Sequence, residues 1–331
     1  MGRRRLGRHG PESSALGLGC MAMSGVYGPA DRAESLATLH EAVDAGIDLI
    51  DTGDFYAMGH NEMLIGEALR SIGRERVQLS LKFGAQRDPA GAWLGFDARP
   101  AALKTALAYS LQRLGTDHVD IYRPARLDPQ VPIEDTVGAI ADLVRAGWVR
   151  HIGLSEVGSE TLRRAAAVHP ICDLQIEYSL LSRDIEASIL PTCRELGIAI
   201  TAYGVLSRGL IGGAWRGPGP GDWRAAAPRF AGANLAHNQR LLQPLHELAA
   251  QRGASVAQLA LAWVLSRGED IVPLLGSSRR VTLRDALKAL RLRLRLDEAE
   301  LRGLDAAFAP GVAAGGRYAP AQLAHLDSAR G

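Results

Sequence analysis

Short apolar runs rich in Val, Ile and Leu alternate with longer stretches of helical periodicity, and this alternation limits the folds open to the chain more than any other feature. The apolar runs at 15–20, 47–51, 77–82, 119–123, 149–154, 173–176, 198–202 and 271–275 read as strands. The stretches at 32–45, 62–71, 100–114, 133–146, 159–168 and 185–196 read as helices, with two more between 235 and 266. Pro100 and Pro132 stand near helix starts, where a missing N–H costs little. Gly46, Gly73, Gly115, Gly147 and Gly197 follow helices, where a left-handed residue is wanted.

Repeated strand–helix units imply parallel strands joined by right-handed crossovers. Near-continuous apolar strands imply a sheet buried on both faces. A closed barrel and an open doubly wound sheet both meet these conditions. The length of 331 residues and the number of units favour a (β/α)8 barrel in one domain spanning 1–331. The long interruption at 209–233, rich in Gly and Pro, reads as a loop over a site rather than a linker, because alternation resumes after it. Trp223, Arg229 and Phe230 give it side chains beyond those of a spacer.

The net charge of +2, from 38 basic and 36 acidic residues, argues against nucleic acid as a partner. Arg3, Arg4 and Arg5 form the one basic cluster, with no apolar run behind them to make a signal peptide. No stretch is apolar enough for a membrane helix. Cys20, Cys172 and Cys193 are odd in number and far apart, which fits the cytoplasm and neither a disulfide framework nor a metal site.

In a parallel barrel the site lies at the carboxyl ends of the strands. Asp51 ends the second strand, Tyr56 lies in the loop after it, and Lys82 ends the third, so a carboxylate, a phenol and an ammonium should share one mouth. A neighbouring ammonium lowers a phenol's pKa, and a carboxylate orients the lysine. Such a phenol gives a proton to a developing alkoxide, as carbonyl reduction requires. The same spacing also fits a structural Asp–Lys pair beside a core tyrosine.

The segment LGLGCMAMSGVYGPADRAESLATLHEAVDAGIDLIDTGDFYAMGHNEML resembles the opening of the aldo-keto reductases. SLKFG around Lys82, RLGTDHVDIY before Arg123, VRHIGLSE through Glu156, LQIEYSLLSR, ITAYGVLSRGL and LLGSSRR continue the likeness in order along nearly the whole chain. The pattern is most similar to a bacterial branch with pyridoxal-reductase-like and auxin-induced-protein-like members. The resemblance implies a (β/α)8 TIM barrel with an N-terminal hairpin and an extra C-terminal helix, NADPH as cofactor, and hydride transfer to a small aldehyde or ketone. It casts Tyr56 as proton donor, Lys82 as the modulator of its pKa and Asp51 as the lysine's partner.

By the same resemblance, Ser155 and Gln175 hold the nicotinamide carboxamide, and Tyr203 stacks on the ring. Gly204, Val205, Leu206, Ser207 and Arg208 form the pyrophosphate turn, with Gly204 in place of a frequent serine. Gly276, Ser277, Ser278 and Arg279 take the 2′-phosphate. A turn rich in hydroxyls beside Arg279 and Arg280 at a helix start also suits an anion on physical grounds, as it suits a solvated helix end. Glu156 stands where an asparagine is common, and Ala286 where the family has an asparagine against adenine.

The chain departs from the family most clearly in DIYRPARLD, where Ala125 occupies the position of a histidine that helps bind the substrate carbonyl. Side chains alternate along a strand, so Arg123 faces the same way as position 125. It is a candidate substrate-binding cation, or else half of an ion pair inside the barrel. Arg126 should point away and pair structurally. Trp93, in the loop after the third strand, either lines the substrate mouth or covers core.

Three features carry less. Gly17-Leu18-Gly19-Cys20-Met21-Ala22 fits a dinucleotide fingerprint, but Ser24, Gly25, Gly28 and Pro29 follow it where a helix is needed. Asn61, between His60 and Glu62, reads as a helix cap rather than part of a metal site, and no metal is expected. Residues 290–296 alternate Leu and Arg as a half-buried extended segment would. Against the reductase expectation stands an NADPH-binding sensor with little turnover, or an altered redox reaction; Ala125 speaks for these, and the intact Asp51, Tyr56 and Lys82 against them.

Overall fold

Each apolar run pairs with the next in sequence, and the last returns to the first. A computed structural model describes residues 1–212, 217, 222–291 and 295–329. The barrel strands are β1 (Gly17–Gly19), β2 (Leu49–Gly53), β3 (Gln78–Phe83), β4 (Val119–Pro124), β5 (Val149–Ser155), β6 (Ile171–Glu177), β7 (Ala199–Tyr203) and β8 (Ile271–Gly276). They form one closed parallel barrel, in which Leu274 of β8 pairs with Gly17 of β1. Closure removes the edges that an open doubly wound sheet would keep. It decides between the two architectures that periodicity leaves open.

The helices α1 (Arg32–Asp44), α2 (His60–Ile72), α3 (Pro100–Leu114), α4 (Ile133–Arg145), α5 (Ser159–Val168) and α6 (Ile189–Leu196) follow the first six strands. Between β7 and β8 lie α7 (Gly232–Leu241), α8 (Gln243–Arg252) and α9 (Val256–Ser266), three helices where the periodicity suggests two. Pro244, at the start of α8, has no N–H to continue the preceding helix and breaks the run. α10 (Arg280–Arg291) follows β8, and α11 (Glu298–Ala307), opened by an Asp297–Glu300 capping box, is the expected extra C-terminal helix, with a further single helical turn, α12 (Pro320–Leu323), after it. The expected helix at 185–196 opens as a 3-10 turn over Asp184–Glu186 before α6.

The N-terminal hairpin pairs Arg3–Arg5 with Glu12–Ser14, and Leu6 beside it is fully buried with Leu49, Ile121 and Val272 under the barrel. The arginine cluster is therefore structural in large part. Arg3 pairs with Asp48, and Arg4 donates to the carbonyls of Leu265, Gly268 and Ile271. A second hairpin, Ala85–Arg87 with Trp93–Phe96, replaces the loop expected around Trp93. In the 209–233 segment, residues 213–216 and 218–221 lie outside the described residues. The remainder holds 3-10 turns at Trp223–Ala226 and Pro228–Phe230. Residues 292–294 of the Leu–Arg alternation also lie outside the described residues. No described helix is long and apolar enough to cross a membrane.

Inside the barrel, Arg123 donates through Nη2 to both carboxylate oxygens of Asp173, at 3.0 and 2.9 Å, and both side chains are wholly buried. Thr201 and Cys172 also donate to Asp173. Gly153 makes room for the pair: a Cβ there would meet Asp173 Oδ1 at 2.5 Å and Arg123 Nε at 2.9 Å. Of the two roles open to Arg123, the geometry is that of the internal ion pair. Asp173 lies two residues before Gln175 on β6, one inward-facing layer deeper.

Removing one member of a buried pair strands the other charge, at a cost of about 3–5 kcal/mol. Arg123→Leu should lower the unfolding free energy by that order in a denaturant titration. The double variant Arg123→Leu, Asp173→Leu should recover most of the loss. An unchanged midpoint in the single variant would show that the pair contributes nothing.

Candidate active site

The carboxyl ends of β2 and β3 bring the expected groups together. Lys82 Nζ lies 2.5 Å from Asp51 Oδ1, with both side chains buried. The other carboxylate oxygen accepts from Ser80 Oγ at 2.8 Å and from Gln175 Nε2 at 2.6 Å. Tyr56 stands in the loop after β2, with Lys82 Nζ 5.2 Å from its ring centroid. The backbone turns sharply after it: Ala57, Met58 and Gly59 all have positive φ, at 47°, 52° and 90°. Two non-glycine residues in that region store strain next to the phenol. Asn61 does not cap α2, whose N-cap is Gly59. It is buried and accepts from Thr52 Oγ1 at 2.7 Å while donating to the Cys20 carbonyl at 2.8 Å and to Ser24 Oγ at 2.7 Å. It thus pins the Tyr56 turn to the end of β1.

The electrostatics of Tyr56 differ from the sequence expectation. Burial, and then the Asp51 carboxylate, push its phenol well above the ordinary tyrosine value. Burial lowers the Lys82 ammonium, while Asp51 pulls the other way. The lysine's charge is spent on its carboxylate, and the cation that acts downward on the phenol is Arg126. A phenol in this setting is held in its protonated, donating form.

The neighbouring strand ends carry the other expected residues. Ser155 ends β5, Gln175 lies near the end of β6 and Tyr203 ends β7. Tyr203 donates to Glu156 Oε1 at 2.7 Å and meets the Tyr318 hydroxyl at 2.9 Å. Glu156 has a φ of 54°, a left-handed conformation that suits asparagine better than glutamate. Its carboxylate is fully buried and takes both guanidinium ends of Arg317, at 2.7 and 2.6 Å, with Ser328 Oγ at 2.6 Å. Burial alone would raise the Glu156 carboxyl, but Arg317 and Arg126 outweigh it and hold it well below the usual carboxylate range. The C-terminal segment therefore crosses the barrel mouth. Arg208 lies 4.3 Å from the Tyr318 ring centroid and 4.9 Å from that of Trp223, and pairs with Glu177 at 2.6 Å. Sequence reading missed Arg317 and Tyr318; the signal was Glu156, a carboxylate where an asparagine is common and in need of a cation.

The turn from Gly204 through Val205, Leu206, Ser207 and Arg208 is tight, with positive φ at Gly204, Ser207 and Arg208. A Cβ at Gly204 would come within 3.1 Å of Glu177 Cγ, so the serine frequent at this position in the family would crowd the Glu177–Arg208 pair. After β8, Ser277 Oγ closes its own turn by donating to the Arg279 carbonyl at 3.0 Å. Arg280 is already engaged, its guanidinium 2.7 Å from Glu34. Arg279 is exposed and has no carboxylate partner among the described residues, so one of the two adjacent arginines stays free. Ser278 is half-buried beside it, and Ala286 packs into the hydrophobic core. Trp93 sits at the rim, its ring 4.7 Å from Phe96 and 6.4 Å from His325. Ala125, buried beyond the end of β4, donates its amide to the Phe83 carbonyl at 2.8 Å.

Behind Tyr56, a carboxylate pair is poorly satisfied. Asp54 Oδ1 and Glu62 Oε1 are buried without a partner among the described residues. Burial first, and the Glu62 charge second, push the Asp54 carboxyl up to about 7. A carboxylate pKa raised on folding means that the folded state holds a proton the unfolded chain has lost. Stability should therefore fall as pH rises from about 4 to about 7. Thermal midpoints measured across that range should decline less steeply for Asp54→Asn than for the parent; equal slopes would contradict this.

Known proteins resemble this chain along most of its length. Residues 15–308 match the aldo/keto reductase family. The chain is 40% identical over 322 residues to "Probable aldo-keto reductase 1" of Glycine max, covering 95% of this chain and 91% of that protein. Among solved structures it is similar to the glycerol dehydrogenase of Gluconobacter oxydans, with a TM-score of 0.83 at 26% identity, covering 96% of this chain and 98% of that one. It is also similar to a thermostable aldo-keto reductase in complex with the inhibitor epalrestat, with a TM-score of 0.74 at 30% identity, over 93% of this chain and 100% of the other. With its fold and its sequence in agreement, the chain belongs to the aldo/keto reductase family.

Proposed function

We propose that this protein is an NADPH-dependent reductase of small aldehydes or ketones, with Tyr56 as the proton donor. The observation that carries the reading is the buried Lys82–Asp51 pair beside a phenol held protonated, at the mouth where Ser155, Gln175 and Tyr203 also end. Three free, buried thiols fit a reducing cytoplasm.

The residues present fit a dinucleotide. Gly276 leaves its strand end open, since a Cβ there would meet nothing within 4 Å. Beside it, Ser278 and Arg279, which has no carboxylate partner among the described residues, offer donors for a 2′-phosphate, while Ser277, its hydroxyl proton given to the Arg279 carbonyl, shapes the turn that would hold it. The turn Gly204, Val205, Leu206, Ser207 and Arg208 would cradle the pyrophosphate, and the Tyr203 ring would support the nicotinamide. Ser155 and Gln175 would hold the carboxamide. Gln175 donates to Asp51 through Nε2, and its Oε1 bonds to no described group, which leaves an acceptor for the carboxamide N–H. Reduced nicotinamide, when bound, supplies the hydride. Tyr56 then gives its proton to the oxygen that gains negative charge, while Lys82 keeps Asp51 neutralised behind it. Burial of the whole group strengthens each of these interactions.

Ala125 and the Tyr318 segment over the mouth favour a second reading, a nucleotide-binding sensor with little turnover. Purified protein mixed with NADPH and a panel of aldehydes, ketones and quinones separates the two, with loss of nicotinamide absorbance as the readout. Turnover that falls by about 10²-fold or more in Tyr56→Phe, with nucleotide affinity kept, is the outcome expected of the reductase. Tight binding of NADPH with no turnover on any compound would favour the sensor. Arg279→Ala should weaken NADPH binding by about tenfold or more and leave NADH binding unchanged, as expected for one charge-assisted contact. Equal loss for both nucleotides would place the 2′-phosphate elsewhere.

A further inference from the structure

We propose that Arg126 is a further catalytic residue, binding the carbonyl oxygen of the substrate in place of the histidine that Ala125 replaces. This rests on the reductase reading above. Arg126 lies immediately after Ala125, beyond the end of β4 and beside β3, which carries Lys82. Its guanidinium turns into the mouth. Nη1 donates to the Ala125 carbonyl at 2.6 Å and reaches Ser155 Oγ at 3.5 Å, and Nη2 donates to the Tyr318 hydroxyl at 3.3 Å.

The charges around the mouth single this residue out. Arg123 is taken by Asp173, Arg208 by Glu177 and Arg317 by Glu156. Arg126 alone of these four has no carboxylate within 4 Å among the described residues, although it is largely withdrawn from water. Its fixed bonds hold it to one backbone carbonyl, one serine and one tyrosine, none of which neutralises it. A part-buried guanidinium with no carboxylate directly on it is a strong donor to an oxygen that is becoming an alkoxide. The hydroxyl of Tyr318, already seated on Nη2, marks where such an oxygen would rest. The same charge also reaches Tyr56, where it acts against burial and Asp51 and eases loss of the phenolic proton. One cation can thus serve both the acceptor oxygen and the acid. Alternation along β4 points instead to Arg123, but the chain leaves the strand after Pro124, so the period-two rule no longer governs residue 126.

The contact with Ser155 offers a rival role, in which Arg126 touches only the nicotinamide carboxamide. The experiment separates the two. Arg126→Gln, Arg126→Lys and the double variant Ala125→His, Arg126→Gln are assayed for kcat/KM on the best aldehyde of the panel, and titrated with NADPH by fluorescence. Loss of one such donor costs about 10²–10³ in rate, so Arg126→Gln should lose about 10²-fold in kcat/KM while its NADPH affinity stays within about threefold. Arg126→Lys, which keeps the charge but loses the planar fork, should lie between Arg126→Gln and the parent. The double variant, with an imidazole restored, should recover about tenfold over Arg126→Gln. A kcat/KM within about threefold of the parent in Arg126→Gln overturns the proposal, as does NADPH affinity falling in step with kcat/KM. A parent protein that binds NADPH but reduces nothing overturns the reductase reading itself, and that failure shows before any variant is compared.

Discussion

Lys82 and Asp51 meet at 2.5 Å with almost no contact with water, and the barrel mouth is arranged around that contact. Two charges so buried are tolerated only if they are paired and the remaining lone pairs are satisfied. Ser80 and Gln175 do this for the second carboxylate oxygen, and so tie β3 and β6 to β2 at one level of the barrel. The consequence for Tyr56 is indirect. Because the ammonium is spent on Asp51, the phenol gains little acidity from it, and burial keeps the proton in place. Lys82 then serves less to acidify Tyr56 than to make a buried carboxylate possible beside it.

The same rule of pairing explains how the C-terminal segment comes to lie over the site. Glu156 is forced into a left-handed conformation at the end of β5 and is buried there. Arg317 supplies its counter-charge, Ser328 a further donor, and Tyr318 follows into the space between Tyr203 and Arg126. Arg208 and Trp223 then pack against the tyrosine ring. The mouth is thus lined by aromatic rings and by guanidinium groups of which Arg208 and Arg317 are held by their own ion pairs, while Arg126 is not.

Much of the fold was legible because strands buried on both faces leave continuous Val, Ile and Leu runs, and all eight expected strands match the observed ones to within two residues at either end. Asp51, Lys82, Ser155, Gln175 and Tyr203 were placeable for the same reason: a strand end fixes which rim a side chain joins. What was not legible depends on partners far apart in sequence. Periodicity cannot tell that Arg123 finds Asp173 across the barrel, nor that Arg280 is claimed by Glu34. Asn61 reads as a cap because its type suits one, while its actual partners, Thr52, Cys20 and Ser24, come from two other segments. The run after α11, with Gly311, Gly315 and Gly316, carries no period at all, so its return to the mouth is set by Glu156 and not by local pattern.

In the proposed reaction, the state of the Tyr56 proton is the point on which the chemistry turns. Single-turnover reduction of an aldehyde, with NADPH saturating and pH stepped across the neutral and alkaline range, measures it most directly. Burial and Asp51 hold the phenol protonated, so the rate should stay level up to about pH 9 and fall only above it. A rate already halved below about pH 8, and insensitive to pH in Tyr56→Phe, would mean that the phenol ionises near neutrality, contrary to the geometry described here.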